Sequence, residues 1–581
     1  MKVLLVPATG RGQGSGHLRR CLRLARRLGE GAAVLLQPDG ERGQVGAGQL
    51  LAPLEGAGPL PAFRERFEPE DGWDLVVLDR RRTSLAELKR FLPLPVLGLD
   101  EGGPARRFLP YLVDTPICPP FGHSPNRRSS ELLELPGRRR DWRFPFQKVL
   151  VSFGGEDAED LSGRLLRALL GHGLFRPEQL TVVQGPYFRR TRWPVGVAVL
   201  ANPPSLGELL PEYDLLFTAF GLTAWEALAA GLPVILLHPS RYHRRLGRLA
   251  GFPDIGLRRP RFGRLARLLE DHGRFERMLA QAPQGSAEPE REGLGFFTGL
   301  APIGDPRCPI CGTAFNPAVA RFPKRTYLRC RLCGILYLLP FGEQARTYGE
   351  EYFFQEYQRQ YGRTYLEDFE AIKALGHQRL LLMQRLLPAS GETPSLLDIG
   401  CAYGAFLSAA RERGLIVEGR DISPQAVSYV SERLGLPCAA EDFSAPAANT
   451  TDGPRYDALT LWYVLEHFRD TRAALRRANR LLRPGGVLAF STPSAGGISA
   501  RRSLERFLEA SPADHFTVWS PTCAAAVLAR FGFRLRRIRI TGHHPERFPG
   551  ALPQGALRLT SRLLGLGDTF EAYAVKIGGP S

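Results

Sequence analysis

Two pairs of cysteines, Cys308-Pro309-Ile310-Cys311 and Cys330-Arg331-Leu332-Cys333, stand 18 residues apart. Four thiolates suit one tetrahedral zinc ion, and this spacing is that of a zinc ribbon. Because Cys308, Cys311, Cys330 and Cys333 would fill all four positions, they predict a closed, structural Zn2+ site rather than a catalytic one. A second run with chemical potential is Asp398-Ile399-Gly400-Cys401-Ala402-Tyr403-Gly404. Here an apolar strand runs into a turn pinned by glycines and then into a helix, which builds a nucleotide-type pocket. The spacing lacks the third glycine of the dinucleotide fingerprint. About twenty residues on, a second apolar run ends in Asp421, where an acidic side chain can meet ribose hydroxyls. Asp421 could equally cap the helix announced by Ser423-Pro424.

His17 is a third candidate. It follows the glycine-rich stretch Gly10 to Gly16 and opens an amphipathic segment, Leu18 to Leu28. The positive end of a helix favours an anion and a neutral imidazole, and a neutral histidine facing a cleft can act as a base. Capping or packing the helix is the alternative role.

These groups need a frame. Apolar runs at Val3–Val6, Ala33–Leu36, Leu75–Leu78 and Val96–Leu99 alternate with helical stretches, the pattern of a parallel sheet covered on both faces. After a segment rich in Pro, Arg and Ser, a second series begins at Val149–Phe153 and continues at Leu180–Val183, Leu215–Phe217 and Val234–Leu237. Two such sheets imply a cleft. The expected fold is therefore α/β: two Rossmann-like domains over 1–117 and 149–285 with a linker at 118–148. A second linker at 286–305, a zinc ribbon over 306–345 and a third Rossmann-like domain over 346–581 follow.

With 581 residues the chain exceeds one hydrophobic core. Its formal charge of +18 invites a nucleic-acid partner, but only six of the 77 basic residues are lysine and the arginines are dispersed. That dispersion argues against a nucleic-acid surface. The N-terminal apolar run is too short for a signal peptide or membrane span, and nine cysteines make no disulfide framework, so a cytoplasmic location is expected.

From Tyr348 to Ile577 the chain resembles the class I S-adenosylmethionine-dependent methyltransferases of the small-molecule type. The likeness rests on LLDIGCAYGAF, GRDIS, the step Glu441-Asp442-Phe443, YDALTLWYVLEHFRD and LLRPGGVLAFSTP, in that order. It implies that Asp398, Gly400 and Gly404 line the donor loop with the glycines at the methionine portion, that Asp421 takes the ribose, and that Asp442 and Phe443 hold the adenine. Methyl transfer needs the acceptor lone pair in line with the S–methyl bond, and a sugar hydroxyl would also need a base. Glu466 and His467 lie after the fourth strand, and His515 precedes an aromatic-Ser step that recurs in this family. His467 and His515 are thus the candidate bases, with a structural role open for each. The zinc ribbon is similar to a module that precedes some bacterial sugar-modifying methyltransferases. No N-P-P-Y step follows the fourth strand, which speaks against methylation of a base or amide nitrogen.

Residues 1 to about 280 resemble the two-domain GT-B superfamily, nearest to the UDP-sugar hydrolase of pseudaminic-acid biosynthesis. GQGSGHLRRCLRLARRL, VLVSFGGEDAEDL and TAFGLTAWEALAAGLPVI carry that likeness. It implies His17 as the base at the anomeric carbon, Glu226 on the uridine ribose, and Gly154, Gly155 and Thr223 along the diphosphate. Two departures stand out: Asp79-Arg80-Arg81 replaces Asp-His-Tyr, and Arg241-Tyr242-His243-Arg244 replaces a Gln-Asn pair. The combined expectation is a two-activity enzyme taking a UDP-linked sugar and a small-molecule methyl acceptor. Its alternatives are a methyltransferase with a binding-only first half and a nucleic-acid methyltransferase.

Overall fold

The computed structural model describes residues 1–9, 16–36, 61–115, 121–129, 132–133, 136–189, 192–203, 205–282, 299–301, 303, 304–342, 362–388, 391–445, 456–548 and 553–579. Two compact units result, Met1–Ile303 and Gly304–Ser581. The glycines before Gly16, most of the linker at 286–305 and the start of the helical stretch after Tyr348 lie outside the described residues.

In the first unit β1 (Val3–Pro7), β2 (Ala32–Leu35), β3 (Ala62–Arg64), β4 (Leu75–Asp79), β5 (Val96–Leu99), β6 (Tyr111–Asp114) and β7 (Arg127–Arg128) form a parallel sheet ordered β3-β2-β1-β4-β5-β6-β7. β1 and β4 are buried along their whole length, as Val/Leu runs covered on both faces must be. β7 lies within the segment expected as a linker at 118–148. Val113 and Asp114 offer β6's free edge, and Arg127 and Arg128 pair with it.

A second sheet in the same unit takes β8 (Val149–Ser152), β9 (Leu180–Gln184), β10 (Ala198–Ala201), β11 (Leu215–Thr218), β12 (Val234–His238), β13 (Asp254–Leu257) and β14 (Arg259–Pro260). Their order is β10-β9-β8-β11-β12-β13-β14, and only β14 runs antiparallel. Both sheets reverse direction of growth at their first strand, so the carboxyl ends of β1 and β4, and of β8 and β11, open crevices where such folds bind ligands.

The second unit begins with β15 (Ala318–Phe322), β16 (Arg325–Arg329) and β17 (Leu336–Pro340), an antiparallel meander next to the cysteines. Its main sheet combines β18 (Ser395–Ile399), β19 (Ile416–Asp421), β20 (Cys438–Ala440), β21 (Tyr456–Trp462), β22 (Leu482–Pro493), β24 (Phe533–Thr541) and β25 (Thr569–Lys576). The order is β20-β19-β18-β21-β22-β25-β24, with β25 inserted antiparallel between β22 and β24. This is a Rossmann-like sheet with an antiparallel last-but-one position. Arginines 534, 536, 537 and 539 stud β24, which keeps that open edge from pairing with another chain. A two-residue strand, β23 (Thr517–Val518), leaves this domain to become the fourth strand of the cysteine meander, next to β17. The sheet of the segment expected as a zinc ribbon over 306–345 is thus completed by a strand 180 positions away. Among the described residues no helix is long and apolar enough to cross a membrane.

Candidate functional site

Each candidate loop grows from a strand end. In the second unit β18 delivers Asp398, buried, whose carboxylate accepts the Thr460 hydroxyl at 2.6 Å. Burial pushes this carboxyl up to about 7 against the pull of that hydrogen bond. Gly400 then turns with φ +69° while Val464 covers it so closely that a Cβ would lie 2.3 Å from Cγ2. Ala402 is also left-handed, φ 47°. Its N–H donates to Asp421 Oδ2 at 2.9 Å, and Asp421 Oδ1 accepts the Ser423 N–H at 2.9 Å. The ribose candidate thus braces the loop after β18 and caps the next turn. Each carboxylate oxygen has a second lone pair, so these bonds leave room for sugar hydroxyls. Desolvation raises Asp421 above the ordinary carboxylate range.

Asp442 and Phe443 fare differently. Asp442 is exposed and accepts the Ser444 hydroxyl at 2.7 Å. Phe443 is buried, with the Arg477 guanidinium 4.6 Å from its ring centre. Its ring is a packing element, so any contact of this step with an adenine falls to Asp442 and to the backbone.

Across the crevice, β21 ends in Trp462 and a short turn, Leu465–His467. Tyr463 adopts φ 60°, which bends the chain over the loop of β18. Glu466 is 1% exposed, and desolvation pushes it up to about 7. His467 Nδ1 lies 3.1 Å from Asp514 Oδ2, and the rings of His467 and His515 meet edge to face with centres 4.7 Å apart. A carboxylate accepting Nδ1–H leaves Nε2 of His467 as the ring's acceptor. Glu466, His467 and His515 bring one polar atom each to within 4.8 Å of one another. The two histidines proposed from separate motifs are therefore one cluster. Asp514, which orients His467, escapes sequence reasoning because 47 positions separate the two.

The four cysteines also converge, with every Sγ within 4.8 Å of the others. Cys308 and Cys333 sulfurs are 3.7 Å apart and those of Cys311 and Cys330 are 3.4 Å apart. Thiolates at Zn–S bonds of about 2.3 Å in a tetrahedron sit about 3.8 Å from one another. The donor set and its geometry fit a closed zinc site.

In the first unit His17 stands at the first turn of the Gly16–Leu28 helix, and Asp79 ends the neighbouring β4. His17 Nδ1 is 2.7 Å from Asp79 Oδ1, and Arg20 Nε donates to Asp79 Oδ2 at 2.7 Å. Arg20 also donates to Asp100 at 2.7 Å. The arginine and histidine hold Asp79 well below the usual carboxylate range despite complete burial. Asp79 is thus a closer influence on His17 than the helix dipole invoked from sequence, and the hydrogen bond leaves Nε2 as the acceptor.

Gly154 follows β8 with φ +83°, and Thr223 and Glu226, both half-buried, lie on the Leu222–Ala229 helix after the adjacent β11. These three and Gly155 therefore all follow the carboxyl ends of the paired strands β8 and β11. The helix amides beyond this turn are not open to a phosphate, because Asp157 accepts Leu161 N–H and Ser162 N–H at 2.8 Å each. The two departures from the hydrolase pattern meet: Arg81 donates to His243 Nε2 at 2.7 Å, and His243 Nδ1 lies 2.8 Å from Ser240 Oγ. Burial and Arg81 push His243 down to about 4, so it accepts from Arg81 as a neutral ring.

Residues 373–538 match the family described as "Methyltransferase domain". The ubiquinone biosynthesis O-methyltransferase of Alkalilimnicola ehrlichii is 32% identical over 100 residues, 17% of this chain and 40% of that protein. Its counterpart from Paraburkholderia phytofirmans is 30% identical over 128 residues, 22% and 54% of the two chains. The chain thus spans about half the length of the curated relatives it matches. A SAM-dependent methyltransferase from Archaeoglobus fulgidus superposes with a TM-score of 0.29 at 14% identity, over 38% of this chain and 98% of that one. The second unit contains a class I S-adenosylmethionine-dependent methyltransferase domain.

Proposed function

We propose that this chain moves the methyl group of S-adenosylmethionine to a hydroxyl oxygen of a small molecule, with the donor held between the loop of β18 and Asp421. The observation that carries the acceptor side is the His467–Asp514 pair beside His515. His467 Nε2 takes the hydroxyl proton while Asp514 stabilises the imidazolium that forms. The acceptor oxygen then bonds to the methyl carbon as the carbon–sulfur bond breaks, its electron pair going to sulfur. Glu466, whose carboxyl burial pushes up to about 7, carries less than a full negative charge beside that oxygen at neutral pH. Trp462, stacked under the Arg379 guanidinium at 4.0 Å, walls the site and limits water.

Gly400 and Gly404 would admit the methionine portion of the donor, Asp398 would lie beneath it, and Asp442 would face the adenine. The curated relatives act as O-methyltransferases, which agrees with an oxygen acceptor. The test is incubation of the full chain with methyl-labelled donor and a cell metabolite extract, followed by mass spectrometry. A labelled small molecule whose yield falls about 10²-fold or more in His467→Gln, with donor affinity unchanged, supports the assignment. Equal yields from both proteins would refute it.

A second reading concerns the first unit. The His17–Asp79 pair and the placement of Gly154, Gly155, Thr223 and Glu226 after β8 and β11 favour a UDP-linked sugar as its ligand, on a GT-B frame. Because Arg81 and His243 occupy the two positions where the hydrolase pattern is broken, we infer binding rather than hydrolysis. Calorimetry with UDP-sugars and a UDP-release assay separate these roles, and steady release of UDP would overturn the inference. A sugar recruited in this way is a fitting methyl acceptor.

A further inference from the structure

The ribbon sheet and the acceptor-side histidines share backbone. β17 begins three residues after Cys333, and its Leu336 and Tyr337 pair with Val518 and Thr517 of β23. Leu338 N–H donates to Phe516 O at 2.9 Å, which carries the ladder to the residue next to His515. Phe516 N–H in turn donates to Glu466 O at 2.8 Å, within the turn that ends at His467. The second knuckle is thereby continuous with the His515 segment.

The first knuckle grips the other histidine by a separate route. Arg472, on the Thr471–Leu481 helix that follows His467, donates Nε to Ile310 O at 3.1 Å. Ile310 lies between Cys308 and Cys311. Inside the ribbon Tyr337 joins the two halves: its hydroxyl donates to Pro306 O at 2.6 Å and accepts from Asn316 Nδ2 at 2.9 Å.

We propose that the four-cysteine site is a positioning device for the methyl-acceptor pocket, in which each knuckle holds one of the two segments whose histidines must meet. Cys308 and Cys311 position His467 through Ile310 and Arg472. Cys330 and Cys333 position His515 through β17 and β23. Gathering four thiolates on one ion locks the knuckles together, and so fixes the 4.7 Å spacing of the rings. The bonds named here do not include Asp421 or the loop of β18, which the His467 turn meets through Val464 packed on Gly400, so the device acts first on the acceptor side. The inference rests on His467 and His515 being the acceptor-side pair.

The full chain would be compared with and without metal, the metal being removed by a chelator, together with Arg472→Ala and Arg472→Lys, which keep all four cysteines. Diethyl pyrocarbonate modification of His467 and His515, resolved by peptide mass spectrometry, reports their surroundings. Hydrogen exchange reports Leu338 and Phe516, and calorimetry reports affinity for S-adenosylmethionine. Metal removal is expected to speed exchange at Leu338 and Phe516 about tenfold and to change the histidine modification rates about fivefold, with donor affinity held within about twofold. Arg472→Ala should alter His467 while retaining metal, and Arg472→Lys should restore part of the wild-type rate. Unchanged histidine rates in both the metal-free chain and Arg472→Ala would overturn the proposal, and so would a parallel loss of donor affinity. Should His467→Gln leave methyl transfer intact, the functional reading would fail while the measured coupling stood.

Discussion

Glu466 offers a sharp test of the acceptor pocket. Its carboxyl is 1% exposed and is pushed by desolvation from its ordinary 4.5 up to about 7. The folded state therefore holds the proton more tightly than the open chain does. Stability from this group is fully present below about 4.5 and is gone once pH has risen past about 7. At about 1.4 kcal/mol per pH unit, the gap between the two values corresponds to about 3 kcal/mol. Glu466→Gln removes the ionisation while keeping the shape and should flatten this dependence. Hydrogen exchange of β21 and β22 peptides at pH 5 and pH 8 would measure it within the second unit, free of signal from the first. Relative to wild type, the variant should gain of order 3 kcal/mol on going from pH 5 to pH 8. An equal difference at both pH values would show that Glu466 ionises normally. That outcome would remove the reason for treating it as a less than fully charged neighbour of His467.

Asp421→Ala deletes the acceptor of Ala402 N–H and Ser423 N–H along with the ribose partner. Calorimetry should show donor affinity falling about 10- to 100-fold, and an unchanged Kd would refute the assignment. Gly400→Ala adds a Cβ at 2.3 Å from Val464 Cγ2 on a left-handed backbone and should destabilise the second unit by about 2–4 kcal/mol in urea. Pairing it with Val464→Ala should recover the steric part, and no recovery would assign the whole cost to φ. Asp79→Asn strips the buried Arg20 of its bidentate partner, so the first unit should lose about 3 kcal/mol, read as an earlier unfolding midpoint. A midpoint that does not move would mean that Asp100 alone suffices for Arg20.

What could be read from the sequence was whatever is local. The strand–turn–helix around Gly400, the acidic end of β19 and the cysteine pairs all declare themselves within about ten residues, because period and turn chemistry act at that range. The last two strands are equally plain as alternating runs, Phe533–Ile540 and Ala572–Ile577. Partners across long separations are not. Asp79 reaches His17 over 62 positions and Asp514 reaches His467 over 47, and no periodicity links either pair. Phe443 looks like part of a recognition step until the fold covers it with Arg477. Arg81 and His243 look like two unrelated losses in the sequence, whereas in space they are a single contact 162 positions apart. β23 is the extreme case, since two residues carry too little pattern to announce a strand, still less one belonging to another sheet.

That borrowed strand also sets a timetable. Tyr337 pairs with Thr517, and 180 positions separate them. At synthesis rates of about 5–20 residues per second, roughly 10–40 s pass between the emergence of β17 and that of its partner. During that interval all four cysteines are already made, but the β17 edge, with its row of unpaired amides and the apolar Leu336 and Leu338, has nothing to close it. Newly made chains are most open to edge-to-edge association at this stage. A fragment that ends before Thr517 would stay there permanently, so the ribbon is better handled as part of the whole chain than as a domain cut free.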